Sequence, residues 1–169
     1  MVRSRLLGLV VALAALLAGV AEAETLRVPP KGEPALTVDL PVGWTAKVDQ
    51  YGNMDIAHPN RHVEVRLAVV EPDTATQSLE DMEASMLKEA HFPSYSRTAA
   101  ASLAGVQGTA FFGSGTTAGN VNLTYKIIWV RLDATHAATM AQLYAVGATS
   151  TETAAIDALA ASVRLVRAR

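Results

Sequence analysis

Two histidines four residues apart are the side chains of this sequence best suited to binding a metal. His58 and His62 lie near Glu64, and neutral imidazoles and carboxylates are ligands for zinc, copper or manganese. A turn at residues 59–61 separates the histidines, so they do not share one helix face as in a helical metal motif. His62, Glu64 and Arg66 also alternate as an ordinary solvated strand face would. His58, His62 and Glu64 are therefore weak candidate metal ligands.

A glycine-rich segment over residues 113–119 is a second candidate site. A phosphate-binding loop needs a Gly-Lys-Ser/Thr sequence that leads into a helix, and this segment contains no lysine. A dinucleotide-binding loop joins a strand to a helix, whereas strands are predicted on both sides here. The segment Gly113–Asn120 is therefore predicted to be a hairpin turn. Its weak candidate partner-binding residues are Gly113, Gly115, Thr116 and Gly119.

No grouping of residues in the sequence marks a catalytic centre. Ser114 lacks the Gly-x-Ser-x-Gly elbow of a serine hydrolase, and Asp133 and His136 flank a predicted turn where both residue types are common. The chain has no cysteine, which excludes thiol catalysis, disulfides and cysteine-based zinc sites. We assign no catalytic residue and no cofactor from the sequence.

Period-two alternation of apolar and polar residues dominates the sequence outside its amino-terminal segment. Extended structure is predicted from Leu26 to Pro34, and a helix remains an alternative for Ala137–Val146. The predicted strands are Leu36–Leu40, one opening at Trp44, Met54–Ile56, Val63–Val69, Tyr95–Leu103, Val106–Phe112, Leu123–Leu132 and Ala137–Val146.

Two segments change to helical periodicity. The first is Ser78–Ala90, and the second is Thr151–Val163 followed by a basic end, Arg164–Arg169, which favours a helix C-terminus. Strands joined by short turns predict a mainly antiparallel sheet, and one-sided helices must cover its faces. The predicted class is α+β, an α/β/α sandwich.

The strand around Tyr125 and Trp129 is apolar on both faces. Such a strand is expected at the centre of a sheet that is covered on both sides. A groove for an apolar ligand is the alternative interpretation.

The first 23 residues have the three-part layout of a secretory signal. Arg3 and Arg5 precede an uncharged run, Leu6–Val20, and Ala21 and Ala23 are the small residues that a signal peptidase reads. The run is short for a bilayer-spanning helix, which needs about twenty apolar residues. Residues 24–169 are then one α+β domain without a stable membrane anchor.

The sequence ALTVDLPVGW at residues 35–44 resembles the start of Mog1/PsbP-like domains, including the DcrB group of bacterial envelope proteins. Pro41 ends the strand, Gly43 permits the turn, and Trp44 can anchor a core. The tail Ala161–Leu165 resembles the Ser-Val-Arg end of the same domains. The resemblance implies an α/β/α sandwich with a central antiparallel sheet, and proteins as the usual partners.

These observations predict an exported accessory or binding protein of the bacterial periplasm, or a secreted one, that acts on an unidentified envelope or periplasmic protein. The chain carries 14 basic and 16 acidic residues, a net charge of -2, so nucleic acid is not an expected partner. We expect no enzymatic activity. A small-ligand or metal carrier is the alternative, and a hydrolase is a third.

The export prediction is tested by the mass of protein recovered from the periplasm after expression of the full chain. We expect a mass that begins at Glu24, because cleavage should follow Ala23. A mass that retains the first 23 residues would indicate an uncleaved anchor instead.

Overall fold

The computed structural model describes residues 23–71, 95–116 and 122–167, which form two antiparallel sheets and a helix. The smaller sheet has the strand order β1-β2-β10. Its strands are β1 (Glu24–Val28), β2 (Ala35–Leu40) and β10 (Arg164–Val166).

The larger sheet has seven strands in the order β3-β4-β5-β9-β8-β7-β6, and each neighbouring pair is antiparallel. These strands are β3 (Thr45–Val48), β4 (Met54–Ala57), β5 (Val63–Val70), β6 (Tyr95–Leu103), β7 (Val106–Thr116), β8 (Asn122–Arg131) and β9 (Ala137–Ala145). The α+β class and the mainly antiparallel sheet predicted from the sequence are confirmed. Residues 137–145 form a strand, so the helical alternative for this segment is wrong.

The helix α1 (Ser150–Ser162) packs against β2 and β5. Ile156 and Leu159 are buried in this contact, one turn apart on the same helix face. Within the described ranges no helix is long and apolar enough to cross a membrane. The predicted helix Ser78–Ala90 lies outside the described residues.

Apolar side chains form two buried clusters, one on each face of the larger sheet. The first joins this sheet to α1 and the smaller sheet and includes Ile128 and Val130 of β8. The second lies on the opposite face and includes Tyr125 and Ile127 of the same strand. Because successive side chains of a strand point to opposite faces, β8 contributes to both clusters. Its central position, predicted from the sequence, is confirmed.

The basic tail differs from the prediction. Instead of extending the helix C-terminus, residues 164–166 form β10 and pair with β2. Val163 takes extended dihedral angles (φ −64°, ψ 131°) and is buried, so the chain leaves the helix and returns along the smaller sheet. The predicted extended lead-in likewise contains the end of β1, which pairs with the other edge of β2.

Gly108 of β7 has no room for a side chain. A Cβ atom there would collide with the Trp129 carbonyl oxygen and would lie 2.8 Å from Cγ1 of Val130. We expect Gly108→Ala to lower the free energy of unfolding by about 2–3 kcal/mol, since the clash is with backbone and cannot relax by a rotamer change. Urea denaturation measures the loss, with the exposed neighbour Gln107→Ala as control. A loss below about 0.5 kcal/mol would contradict this close packing.

Candidate functional site

The turn between β4 and β5 brings the two candidate histidines to the same place. The His58 amide donates to the Val63 carbonyl at 3.2 Å, and the Arg61 amide donates to the His58 carbonyl at 2.9 Å. Arg61 has φ 58°, a left-handed conformation that costs a non-glycine residue about 1 kcal/mol or more. The surrounding contacts must therefore hold this turn in shape.

The amino terminus of α1 lies against this turn and is closed by a capping box. The Thr149 hydroxyl accepts the Glu152 amide at 3.3 Å, and one carboxylate oxygen of Glu152 accepts the Thr149 amide at 2.6 Å and its hydroxyl at 2.9 Å. The backbone amides of Thr149 and Glu152, which the helix itself leaves without acceptors, are thus both hydrogen-bonded. Glu152 is 6% exposed, which is unusual for a carboxylate without a metal or a firm set of donors.

Asn60 joins the turn to the helix. Its Nδ2 donates to Oε1 of Glu152, the oxygen that the capping box leaves free. Its Oδ1 accepts the His62 amide at 3.0 Å and lies 2.7 Å from Nδ1 of His58. Nδ1 of His58 and Nδ1 of His62 are 3.8 and 3.5 Å from the same Oε1. We call these five residues, His58, Asn60, His62, Thr149 and Glu152, the Glu152 cluster.

Hydrogen bonds to the carboxylate decide the charge of Glu152. The Thr149 amide, the Asn60 side chain and the Thr149 hydroxyl lower the pKa of Glu152 to about 2, and the neighbouring His62 adds to the effect, although burial opposes it. The group is therefore ionised at neutral pH and acts as a hydrogen-bond acceptor. It has no proton to give as a general acid.

The same hydrogen bonds weigh against a metal at this cluster. Because Asn60 uses its amide nitrogen on Glu152, its oxygen faces His58 and lies 2.7 Å from Nδ1 of that ring. Oε1 of Glu152 and Nδ1 of His58 are thus both already engaged with Asn60. Within the part of the chain that the structure describes, no three His, Asp or Glu side chains are arranged to hold a metal ion. The third candidate, Glu64, lies 3.9 Å from Arg61 instead.

Trp44 links the cluster to the core. The Trp44 amide donates to the Pro41 carbonyl at 3.1 Å, and Gly43 has φ 83°, so the predicted Pro-x-Gly-Trp turn is present. The buried Trp44 ring meets the His58 ring edge to face, with centroids 5.1 Å apart. One side of His58 is thus fixed by an aromatic contact and the other by Asn60.

The glycine-rich candidate differs from its prediction. Residues 113–116 are part of β7, and Thr116 pairs with Asn122 of β8, so the connection between these strands is shorter than the predicted turn Gly113–Asn120. Gly113, Gly115 and Thr116 are therefore strand residues, and Gly119 lies outside the described residues. An open depression of about 410 Å³ adjoins this end of the hairpin, lined by Ser114, Gly115, Thr116, Asn122, Leu123, Thr124 and Val146.

The Asp133–His136 pair has a local structural role. One oxygen of Asp133 accepts the amides of Thr135 and His136, each at 2.8 Å, which is an Asx-type turn before β9. These bonds, that of Thr135 first, lower the pKa of Asp133 to about 2. His136 also approaches Glu71 at 3.5 Å. Among the described residues no serine takes part in this group. The hydroxyl beside it belongs to Thr135, which donates to Asp133 at 3.1 Å and lies 3.0 Å from Nδ1 of His136.

The edge of the larger sheet formed by β3, at the other end of the strand order from β6, carries exposed apolar side chains. The described residues hold four large hydrophobic side chains that are well exposed, and three belong to one short segment: Val42 before β3, Val48 within it and Tyr51 after it, which are 68%, 41% and 79% exposed. The fourth, Val146, is 77% exposed and follows β9. We call β3 with Val42 and Tyr51 the β3 edge.

Alternating charges cross the sheet at this edge. Lys47 of β3 pairs in register with Asp55 of β4, and Asp55 pairs with Arg66 of β5. The Arg66 guanidinium lies 3.6 Å from Asp55 and 2.5 Å from Asp49. In the described part of the chain Lys47 has no carboxylate within ion-pair distance, so the row ends in an unpaired cation.

Sequence reasoning missed the acceptor around which the two histidines gather. Glu152 lies inside the predicted helix, and the spacing Thr149-x-x-Glu152 is the signature of a capping box, which could have revealed its role. Asn60 gave no such signal, because its partner lies 92 residues further along the chain.

Solved structures share this arrangement of strands and helix. The PsbP protein of Synechocystis sp. PCC 6803, CyanoP, aligns with a TM-score of 0.56 at 12% identity, covering 89% of this chain and 96% of its own. The chain has a Mog1/PsbP-like fold. LpqN of Mycobacterium tuberculosis aligns on the same fold with a TM-score of 0.53 at 15% identity, covering 85% of this chain and 91% of its own.

The same fold matches part of a longer protein. A protein of Bacteroides thetaiotaomicron aligns with a TM-score of 0.52 at 11% identity over 78% of this chain, which spans 45% of that protein's length. No protein-family model matches the sequence, and no curated protein does. At these identities the likeness is one of fold, and it confirms the architecture that the Pro-x-Gly-Trp turn implied.

The depressed pKa of Glu152 predicts a pH-dependent stability. Because the folded pKa, about 2, is below the ordinary value of 4.5, the carboxylate stabilises the fold fully above about pH 4.5 and progressively loses this contribution as the pH falls towards 2. Glu152→Gln should therefore unfold at lower urea than the parent at pH 7, and the two midpoints should converge towards pH 2.

The matched control is Glu64→Gln, a partly exposed glutamate of the same hairpin with one long ion pair. It should leave the urea midpoint nearly unchanged at pH 7. A difference between Glu152→Gln and the parent that stays constant from pH 7 to pH 2 would show that Glu152 is not the group that titrates.

Proposed function

We propose that the protein is an exported accessory or binding protein of the cell envelope that acts by contacting another protein. The observation that carries this proposal is the β3 edge. Three exposed apolar side chains lie within one stretch of ten residues that contains the edge strand β3. Single exposed apolar residues scattered over a surface are common and need no explanation, whereas several close together do. Such a concentration is typical of an interaction surface.

The polar groups support the same proposal. Both carboxylate–histidine groupings of the described residues are occupied by structural hydrogen bonds, one in the Glu152 cluster and one at Asp133. Glu152 and Asp133 are held ionised by amide donors, so neither is poised for proton transfer near neutral pH. These features favour a binding role over a catalytic one.

A protein of the same fold has a role in a cell envelope. LpqN is described as involved in cell envelope biogenesis of Mycobacterium tuberculosis. The secretory layout of residues 1–23 agrees with an envelope location for the present chain. The partner is then expected in the periplasm or at the envelope.

Site-specific photocrosslinking tests the proposal. A benzophenone amino acid replaces Tyr51 in the full chain, which is expressed in the bacterium of origin and irradiated in intact cells. We expect a defined adduct from position 51, because its side chain belongs to the β3 edge and is 79% exposed. The adduct is detected by gel mobility and identified by mass spectrometry of the periplasmic fraction.

The matched control is the same replacement at Val146, which is 77% exposed. Both positions offer similar access to chance collisions, so an adduct specific to position 51 supports a binding surface there. Equal labelling at both positions, or no adduct at either, would contradict the proposal.

A further inference from the structure

Within the described part of the chain, the β3 edge has backbone groups without a strand partner as well as exposed side chains. β3 is the terminal strand of the larger sheet, and the Asp49 amide donates to the Asn53 carbonyl at 2.9 Å across the β3–β4 turn. Hydrogen-bonded pairs alternate along an antiparallel ladder, so Lys47 and Thr45 face β4. Ala46 and Val48 therefore direct their N–H and C=O groups away from the sheet.

We propose that the β3 edge binds an extended segment of a partner protein as an added antiparallel strand, with an acidic side chain of that segment opposite Lys47. This inference rests on the proposed function, because it specifies how the partner binds. Ala46 and Val48 supply two donors and two acceptors, the main-chain pairing used in strand addition. Val48 and the flanking Val42 and Tyr51 supply apolar contacts along the same edge.

The charges define the chemistry of the partner. Lys47, Asp55 and Arg66 stand in register on three adjacent strands and alternate in sign. A carboxylate on an added strand, opposite Lys47, would continue this alternation and give Lys47 a cross-strand ion pair. A basic residue there would place like charges opposite each other, which is destabilising.

The same lysine disfavours a second copy of this chain as the occupant. A two-fold pairing of two β3 strands that uses both outward-facing residues sets Ala46 opposite Val48 of the other copy. The two Lys47 side chains would then lie directly opposite each other. Short edge strands with a lysine are a common protection against such self-association, so a partner with the complementary charge is favoured.

The experiment uses two capped peptides that differ at one position, with Val-Asp-Val or Val-Lys-Val between Ser-Thr and Thr-Ser ends. Each is titrated into the ¹⁵N-labelled protein at low salt, and the amide resonances of Ala46 and Val48 are followed. We expect saturable shifts with the aspartate peptide and binding roughly three- to tenfold weaker with the lysine peptide. Lys47→Glu, an exposed substitution, should reverse this preference.

Val48→Pro removes one outward donor without touching the β3–β4 ladder, and it should abolish the shifts of the Ala46 resonance. Val146→Ser is the control, because β4 and β5 lie between β3 and the strand that precedes Val146, and it should bind as the parent does. Equal binding of the two peptides, shifts confined to other residues, or a concentration-dependent dimer through β3 would overturn strand addition.

The two proposals fail differently. If crosslinks from position 51 persist in Val48→Pro and the peptides do not bind, the protein contacts a partner at this surface but not by strand addition. If position 51 gives no specific adduct, the proposed function itself fails.

Discussion

The buried carboxylate of Glu152 is the constraint on which this end of the molecule depends. Its two oxygens serve different elements, since one completes the cap of α1 and the other accepts Asn60 from the β4–β5 turn. Removing either set of donors would leave a buried charge partly unsatisfied, which is costly. The helix position, the strained turn at Arg61 and the orientation of His58 against Trp44 are thus coupled through one side chain.

This coupling changes the meaning of the two histidines. In the sequence they stand as a potential ligand pair, and in the structure they surround an anion that already accepts hydrogen bonds from Thr149 and Asn60. The surface that we propose for partner binding is instead the β3 edge. Trp44, just before β3, is buried and contacts His58, so the Glu152 cluster and the β3 edge meet at the turn that precedes β3.

Local patterns were sufficient for most of the architecture. Alternation predicted β2, β5 and β8, and the apolar faces of β8 predicted its central position. Contacts between distant segments could not be predicted from the sequence, because they leave no periodic pattern. The Asn60–Glu152 hydrogen bond and the pairing of β10 with β2 are two such contacts. The position of β3 at the edge of the sheet could not be predicted either. All four of its residues are exposed, so its sequence has no alternation of buried and exposed residues that would indicate which strands lie beside it.

The smaller sheet has a consequence for the order in which the protein can fold during synthesis. β2 lies between β1, near the start of the described chain, and β10, near its end. The sheet therefore cannot be completed until Val166 has emerged from the ribosome. Pairing across so long a stretch of sequence is slow to nucleate. For most of its synthesis the chain can hold β2 against β1 alone, and the last strand is added only when the helix that precedes it has been made.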